Sequence, residues 1–562
     1  MFLKPDFTKG LLGNLLGDSL IFLPELVLCV GIVFLLLLRL FRAFNRVHLS
    51  GLALTFMVCA LGVSACQWGN VYDIGSPDHY RFGYHPFFSG LLVYDNFTVY
   101  LRLFLFSFSA LIIWLTMLTG IPDTEDSADF YCLLLGATLG MSLMASANHL
   151  LMVFIAIEMA SLPSYALAGF LKGRRQSSEA ALKYVVYGGG AAGVMLYGIS
   201  LLAGRFGTGY LPDLAAGYVS AVFPPGGSGL VFDPVLVLGT LFILIGIGFK
   251  LAAVPFHFWC PDVFEGASAE VAGFLSVASK GAALALLARI AFVLGGLDRQ
   301  VVVLGPLHDP HWMSVVRFLV PGIAVFAALT ATFGNLAAYL QTNLKRLLAY
   351  STIAHAGYMM MGLAPLTREG AEAVLFYLAA YLFMNLGAFA IVAFLRNQTG
   401  SEDLSAFRGL VRRSPWMVVT LCFFLLSLLG IPPLVGFFAK FQIFAALYHG
   451  YESYHASGDP GLAATLFALL LIGGLNTVLS AVYYIKVMKV MILDTTVEDV
   501  EGRQPTRYQE SVPSVVYAVL AAVVVLALGF VNPLYQASKD GVSRFTDRPG
   551  APTLAQNVSE GK

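Results

Sequence analysis

Two lysines in this chain stand where a positive charge is unfavourable. Lys250 lies in the stretch Gly246–Trp259 and Lys440 in Gly430–Lys440, each inside an apolar run. An ammonium near the centre of a bilayer costs about 2.5–3.5 kcal/mol on insertion scales, so such residues mark function by default. Each also adjoins a break. Pro255 follows Lys250, and Pro432, Pro433 and Gly436 precede Lys440. Proline removes a backbone donor and clashes one turn back, so both helices are predicted to be interrupted. Loose backbone groups beside a lysine, in two corresponding places, are the pattern of a paired transport site. The plainer alternative is a kinked helix whose lysine snorkels to the interface. A matched pair argues against it.

Four more ionisable residues sit deep in apolar runs: Glu158, Lys183, Lys280 and His355. Glu25, directly after Pro24, is a shallower fifth. A medium of low polarity disfavours the charged form of each, so each can take or release a proton if water or a polar side chain reaches it. Glu158 and Lys250 are read as a coupled pair, each stabilising the other's charge. His257 is placed to bridge the halves of its broken helix, which favours a relay role, while relay and structural roles for His355 stand as equal alternatives. The competing reading is a set of static buried ion pairs that fix helix packing. No residues show metal-ligand spacing, and Gly246-Ile-Gly248 lacks the strand–turn–helix setting of a nucleotide site. The six cysteines contain no C-x-x-C pair, so iron–sulfur and zinc frameworks are excluded and buried thiols are expected.

The elements that must position these residues are membrane helices. The chain has 562 residues, 58% hydrophobic and 12% charged, about half the charged fraction of soluble domains. Net charge is zero with basic residues scattered, which argues against nucleic-acid binding. Apolar runs predict about fourteen spans: 19–40, 47–66, 91–118, 130–147, 149–171, 178–204, a broken 235–262, 267–297, 313–340, 346–364, 371–396, a broken 416–449, 461–492 and 512–531. The first span is not read as a cleaved signal, since no small-residue cleavage site follows it. The expected fold is therefore an all-α polytopic membrane protein.

Connections after odd-numbered spans carry sixteen basic residues; those after even-numbered spans carry four, Arg81, Arg205, Arg299 and Arg368. By the positive-inside rule the odd connections are cytoplasmic and both termini lie outside the cytoplasm. Glu179-Ala-Ala-Leu-Lys183-Tyr184 answers Glu372-Ala-Val-Leu-Phe376-Tyr377, each at a similar distance before a broken helix. Two five-span units are read from this, and an odd span count inverts one against the other. The expected divisions are 1–128 for the N-terminal helices, 129–297 and 298–492 for the two inverted five-helix repeats, and 493–562 for the last helix and a polar tail.

Several segments together carry a specific resemblance: Phe154-Ile-Ala-Ile-Glu158-Met-Ala-Ser-Leu-Pro163, Gly248-Phe-Lys250, Val254-Pro-Phe-His257-Phe-Trp-Cys-Pro261-Asp262-Val-Phe-Glu265-Gly-Ala267, Ala278-Ser-Lys280, Gln341 to Ser351, and Gly436-Phe-Phe-Ala-Lys440. Over residues 20–530 the chain resembles the N-type antiporter-like subunits of bacterial proton-translocating NADH–quinone oxidoreductase, respiratory complex I. The resemblance implies a membrane-arm subunit of fourteen helices in the bacterial inner membrane, beside other antiporter-like subunits. It implies no cofactor or metal in this chain; FMN, iron–sulfur clusters and quinone would be carried by partners. Glu158 and Lys250 would form the carboxylate–lysine pair, Lys280 the central relay and Lys440 the outlet, with Lys183 a modulating charge near the pair. The M type has a glutamate in place of Lys440, and the L type adds a long lateral helix after its last spans. Arg102 and Cys260 depart from the pattern. Two further readings are kept: a subunit of a multisubunit sodium/proton antiporter, and an assembly subunit whose charges only pack helices.

Overall fold

The computed structural model describes residues 15–41, 47–69, 85–222, 233–295, 310–496, 508, 511–528 and 532–542. Arg42, Arg46, Arg81, Arg299, Arg503 and Arg507, used in the charge count, lie outside the described residues. The fold is almost entirely helical, as the apolar runs require. A short helical segment, Leu15–Ile21, bends by 79° into the first of three opening helices: α1 (Leu23–Arg39), α2 (Ser50–Trp68) and α3 (Asn96–Thr119). Then come α4 (Ser127–Ser146), α5 (Leu150–Ala168), α6 (Arg175–Phe206) and a short α7 (Leu211–Val222). The first broken span is α8 (Pro234–Leu251) followed by α9 (Trp259–Gly266). Next is α10 (Ala269–Leu294), with a π turn at Leu275–Ser279. The remainder is α11 (Pro310–Ala338), α12 (Leu344–Leu363), α13 (Arg368–Thr399), the broken pair α14 (Pro415–Leu429) and α15 (Val435–Ala456), α16 (Pro460–Ile492), α17 (Val512–Leu528) and α18 (Asn532–Val542).

Each of the fourteen expected spans finds a helix or a helix pair. Among the described residues ten helices are by themselves long and apolar enough to cross a bilayer, or up to twelve if two bent pairs each count as one. The other two expected spans are α12, which carries Lys345, Arg346, Ser351 and His355, and the pair α14–α15, divided by its break. Two elements were not expected. Residues read as loop hold α7 and the first strand of a two-stranded antiparallel hairpin, His85–Phe87, whose partner Leu92–Tyr94 takes the start of the expected third span.

The core sits where helices are apolar all round. Helix α10 is buried along its whole length and α13 nearly so. Around them α2, α6 and α16 keep large apolar faces outward, among them Val58, Val186 and Leu475. Outward apolar faces suit a hydrocarbon solvent and would be a liability in water. The interrupted and lysine-bearing segments therefore lie against a packed centre, away from that outer face.

Candidate functional site

The first break spans Ala252 to Phe258. Helix α8 ends as Ala252 takes a left-handed conformation (φ 54°), and its neighbour Ala253 donates back to the Gly248 carbonyl at 2.8 Å. The Val254–Pro255 peptide is cis. The indole of Trp259 crosses the break and donates to the Phe249 carbonyl at 2.9 Å. That is the bridge between the halves. His257 does not make it: its ring packs against Phe258 and Phe333, 4.4 Å from each, and Nδ1 is buried without a protein partner among the described residues.

Lys250 occupies the last turn of α8 and is fully buried. Its Nζ donates to Ser161 Oγ at 3.1 Å. Ser161 is one turn beyond Glu158 on α5, so the expected carboxylate and lysine come into electrostatic range without closing a direct ion pair. Glu158 itself is half-buried. Tyr165 follows on the same face, and Gly188 of α6 makes room for its hydroxyl, since a side chain at that position would collide with it.

Lys280 stands at the centre, directly after the π turn of α10. A π turn widens the helix by one residue per bond and is common at functional sites. The ammonium lies 3.8 Å from Cys260 Sγ and 6.0 Å from the Phe264 ring centroid. Cys260 thus has a place beside the central lysine, which sequence alone did not supply. Tyr184 stacks face-on against Trp259 (4.3 Å, 8°), next to that thiol.

The second break is built differently. Helix α14 ends at Gly430, again left-handed (φ 91°), and the turn contains the cis Pro432–Pro433 peptide. Gly436 opens the second half; it packs so closely on the Ser427 carbonyl that a side chain there would collide with backbone. Lys440 therefore lies after its break, where Lys250 lies before its own. Its Nζ donates back to the Leu429 carbonyl at 2.9 Å and sits 4.7 Å over the Tyr358 ring. An unsatisfied carbonyl and an aromatic face are both good hosts for a cation.

Between Lys280 and Lys440 lies His355, held on both ring nitrogens: Nδ1 by the Tyr377 hydroxyl at 2.6 Å and Nε2 by the Tyr484 hydroxyl at 3.1 Å. Tyr484 continues to Ser351 at 2.6 Å. Both lysines act electrostatically on the imidazole. Sequence reasoning missed these tyrosines and the Asn335–Asn476 pair beyond Tyr358. The signal was present in Tyr377, Tyr381 and Asn385, polar groups four residues apart on an otherwise apolar helix.

A second expectation changes, and Arg102 gains a partner. Lys183 is not drawn to Glu158: it bonds Asp262 at 2.7 Å and Glu179 at 2.9 Å, half-exposed at the end of the bundle, where Arg346 also grips Asp262. A carboxylate one turn back and another on α9 outcompete a distant one. Arg102, left without a role, is fully buried against Glu25 at 2.7 Å, with Gln67 and the Ile21 carbonyl as further acceptors. Among the described residues no group of three or more His, Cys, Asp and Glu is arranged to hold a metal.

The description "NADH:quinone oxidoreductase/Mrp antiporter, TM" belongs to the family whose pattern matches residues 147–456. NADH-quinone oxidoreductase subunit N of Anaeromyxobacter sp. (strain Fw109-5) is 40% identical over 484 residues, 85% of this chain and 88% of that protein. Among solved structures, a chain of respiratory complex I from Thermus thermophilus with bound aureothin superposes with a TM-score of 0.65 at 31% identity, covering 90% of this chain and 96% of that one. A chain of the Mrp complex from Dietzia sp. DQ12-45-1b gives a TM-score of 0.70 at 19% identity over 95% of this chain and 98% of that one, a likeness of fold.

Proposed function

From the premise that the chain belongs to the NADH:quinone oxidoreductase/Mrp antiporter membrane family, as an NADH-quinone oxidoreductase subunit N, we propose that its protons travel along Lys250, Lys280, His355 and Lys440. The chain is a proton-translocating membrane subunit of that enzyme. Glu158 modulates Lys250 across Ser161, and the tyrosines around His355 link Lys280 to Lys440.

One observation carries the proposal. Lys250, Lys280 and Lys440 are buried, and none closes an ion pair with a carboxylate among the described residues. Two buried arginines do the opposite: Arg102 pairs with Glu25 and Arg289 with Asp95. Arginine does not deprotonate in proteins, whereas a buried lysine readily changes charge. Paired arginines are suited to fixing helices, and unpaired lysines to carrying protons. This division favours a relay over purely static packing.

The basic connections are assigned to the cytoplasm, both termini to the other side, and the membrane to the bacterial inner membrane. Residues 129–297 and 298–492 are assigned as two inverted repeats, each with its break, Pro255 in one and Pro432–Pro433 in the other. The partners are other membrane-arm subunits, with FMN, iron–sulfur clusters and quinone elsewhere in the complex. The sodium/proton antiporter alternative shares the family pattern and a likeness of fold, whereas the relative at 40% identity is an NADH-quinone oxidoreductase subunit N. Substitution of Lys280 by alanine tests the proposal: the complex should assemble and bind NADH, while proton uptake by inverted vesicles falls at least about tenfold. Uptake at the parental rate would overturn it.

A further inference from the structure

The relay needs a place where protons arrive from the aqueous face, and one buried carboxylate outside it fits that task. Glu270 lies in the first turn of α10, ten residues before Lys280 in the same helix. It is fully buried. Its neighbours are Arg396 of α13, Lys345 of α12 and, beyond Lys345, Glu402. This end of the bundle carries the basic connections Lys345–Arg346 and Arg396–Arg413.

The pairing of Glu270 is incomplete. Arg396 reaches Oε1 at 3.3 Å and is shared with Asn397 Oδ1 at 2.9 Å, while Oε2 has no protein partner among the described residues. The Asp95–Arg289 pair shows what a saturated lock looks like in the same protein. There both carboxylate oxygens are bonded, at 2.9 and 3.2 Å, and the guanidinium also holds Thr98 and the Ala145 carbonyl. Glu270 thus has one long contact and one oxygen open to a further donor.

Further polar groups stand along the α10–α13 seam nearer Lys280, past the close Gly273–Phe389 contact. Asn385 of α13 donates to Ser276 Oγ, and its own Oδ1 is buried without a protein partner. Ser279 Oγ, adjacent to Lys280 in the π turn, is likewise buried and unpartnered. Buried polar atoms of this kind ordinarily bind internal water. The spacing is suitable: at about 1.5 Å rise per residue, Glu270 and Lys280 are roughly 15 Å apart along the axis, with Ser276 and Ser279 between them.

We infer that Glu270 is a proton-loading carboxylate, and that Asn385, Ser276 and Ser279 pass its proton along the α10–α13 seam to Lys280. This loads the central lysine by a route separate from Glu158 and Lys250. In the step, the O–H bond of protonated Glu270 breaks and its proton moves to a water held by the seam. A proton passes from that water chain to the neutral amine of Lys280, forming an N–H bond. The carboxylate left behind is held by Arg396 until it is reprotonated from the cytoplasmic face. The inference rests on the relay and orientation proposed above.

The test uses the assembled complex in inverted membrane vesicles, whose outer medium is the cytoplasmic side. NADH-driven proton uptake is followed as that medium is made more alkaline. In Glu270→Gln uptake should fall roughly tenfold and decline with rising outer pH earlier than in the parent. Glu270→Asp, which keeps a titrating group, should restore most of the rate. Asn385→Leu should give a comparable loss without touching the ion pairs, and Asn385→Ser should recover it. Assembly is scored in each case from the abundance of the intact complex. If Glu270→Gln does not assemble, Asn385→Leu decides the matter. Parental uptake and an unchanged pH profile in assembled Asn385→Leu, or in Glu270→Gln, would overturn the route. Lys280→Ala runs beside them: if it also pumps normally the relay itself is wrong, whereas its loss with a normal Asn385→Leu refutes only the loading site.

Discussion

The ammonium of Lys250 lies 3.1 Å from the hydroxyl of Ser161, one helical turn beyond Glu158. The lysine is therefore hydrogen-bonded by a neutral group while the carboxylate acts on it from further away. A direct ion pair would fix both charges. A hydroxyl partner can accept from the ammonium and donate to the amine, so it serves both forms. Glu158 and Lys250 should then work as one unit. Glu158→Ala and Lys250→Ala are each expected to cut coupled turnover strongly, with the double substitution costing little more than the worse single one. Losses that add on the free-energy scale would show that the two act independently.

The buried Glu25–Arg102 pair predicts an effect on assembly instead of on pumping. Removing one partner strands a charge in an apolar site, at a cost of about 3–5 kcal/mol. Arg102→Met should lower the amount of assembled complex sharply. Arg102→Met with Glu25→Gln should recover much of it, because no uncompensated charge remains. Complex abundance on native gels, with and without the second substitution, is the measurement. A double variant as depleted as the single one would contradict the pairing.

How far the sequence reached depended on whether a signal was local. Apolar run length and prolines located the spans and both breaks, because each depends only on neighbouring residues and the solvent. Lys250, Lys280 and Lys440 were legible for the same reason: a charge in an apolar run stands out wherever its helix packs. Partner choice was not legible. Lys183 turned to Asp262, Trp259 took the bridging place expected of His257, and Arg102 met Glu25 from a helix 77 positions away in the chain. Those outcomes depend on how helices rotate against one another, which periodicity fixes poorly when they are apolar on every face. The tyrosine cradle of His355 was hidden likewise, since a tyrosine in an apolar helix resembles any other core aromatic until its hydroxyl finds a partner.

Orientation can be read by labelling. Ser178 and Ser457 are both exposed, at opposite ends of the proposed topology. Ser177, nearby, is buried and bonded to the Ala168 carbonyl, so it is unsuited to the purpose. A cysteine at Ser178 should react only with reagents that reach the cytoplasm, and one at Ser457 only from the other side. The reverse pattern would invert the direction of the path.

Asp233 caps the helix that carries Lys250, accepting from the Val235 amide at 2.9 Å. The Arg205 guanidinium beside it, 2.9 Å away, holds its carboxyl below the usual range against some desolvation. A carboxyl lowered in the folded state stabilises it above the ordinary carboxylate range, and that contribution is lost as pH falls through the lowered value. The first turn of α8 should therefore keep its cap at mildly acid pH. Amide exchange at Val235 reports this: protection should persist to lower pH in the parent than in Arg205→Gln, and equal profiles would show that Arg205 does not hold the cap.

The central claim is that unpaired buried lysines carry the proton, and Lys440 tests it most directly. Its neighbours are a carbonyl and an aromatic ring, both of which accept a guanidinium as readily as an ammonium. Lys440→Arg should therefore assemble normally. An outward release works against the membrane potential, about 2.3 kcal/mol per charge per 100 mV, and requires a group that can give up its proton. Arginine cannot, whereas glutamate still titrates. Proton uptake per NADH oxidised, measured in inverted vesicles, should be lost in Lys440→Arg and partly kept in Lys440→Glu. Full uptake by Lys440→Arg would contradict the relay and leave a fixed positive charge as all that the site requires.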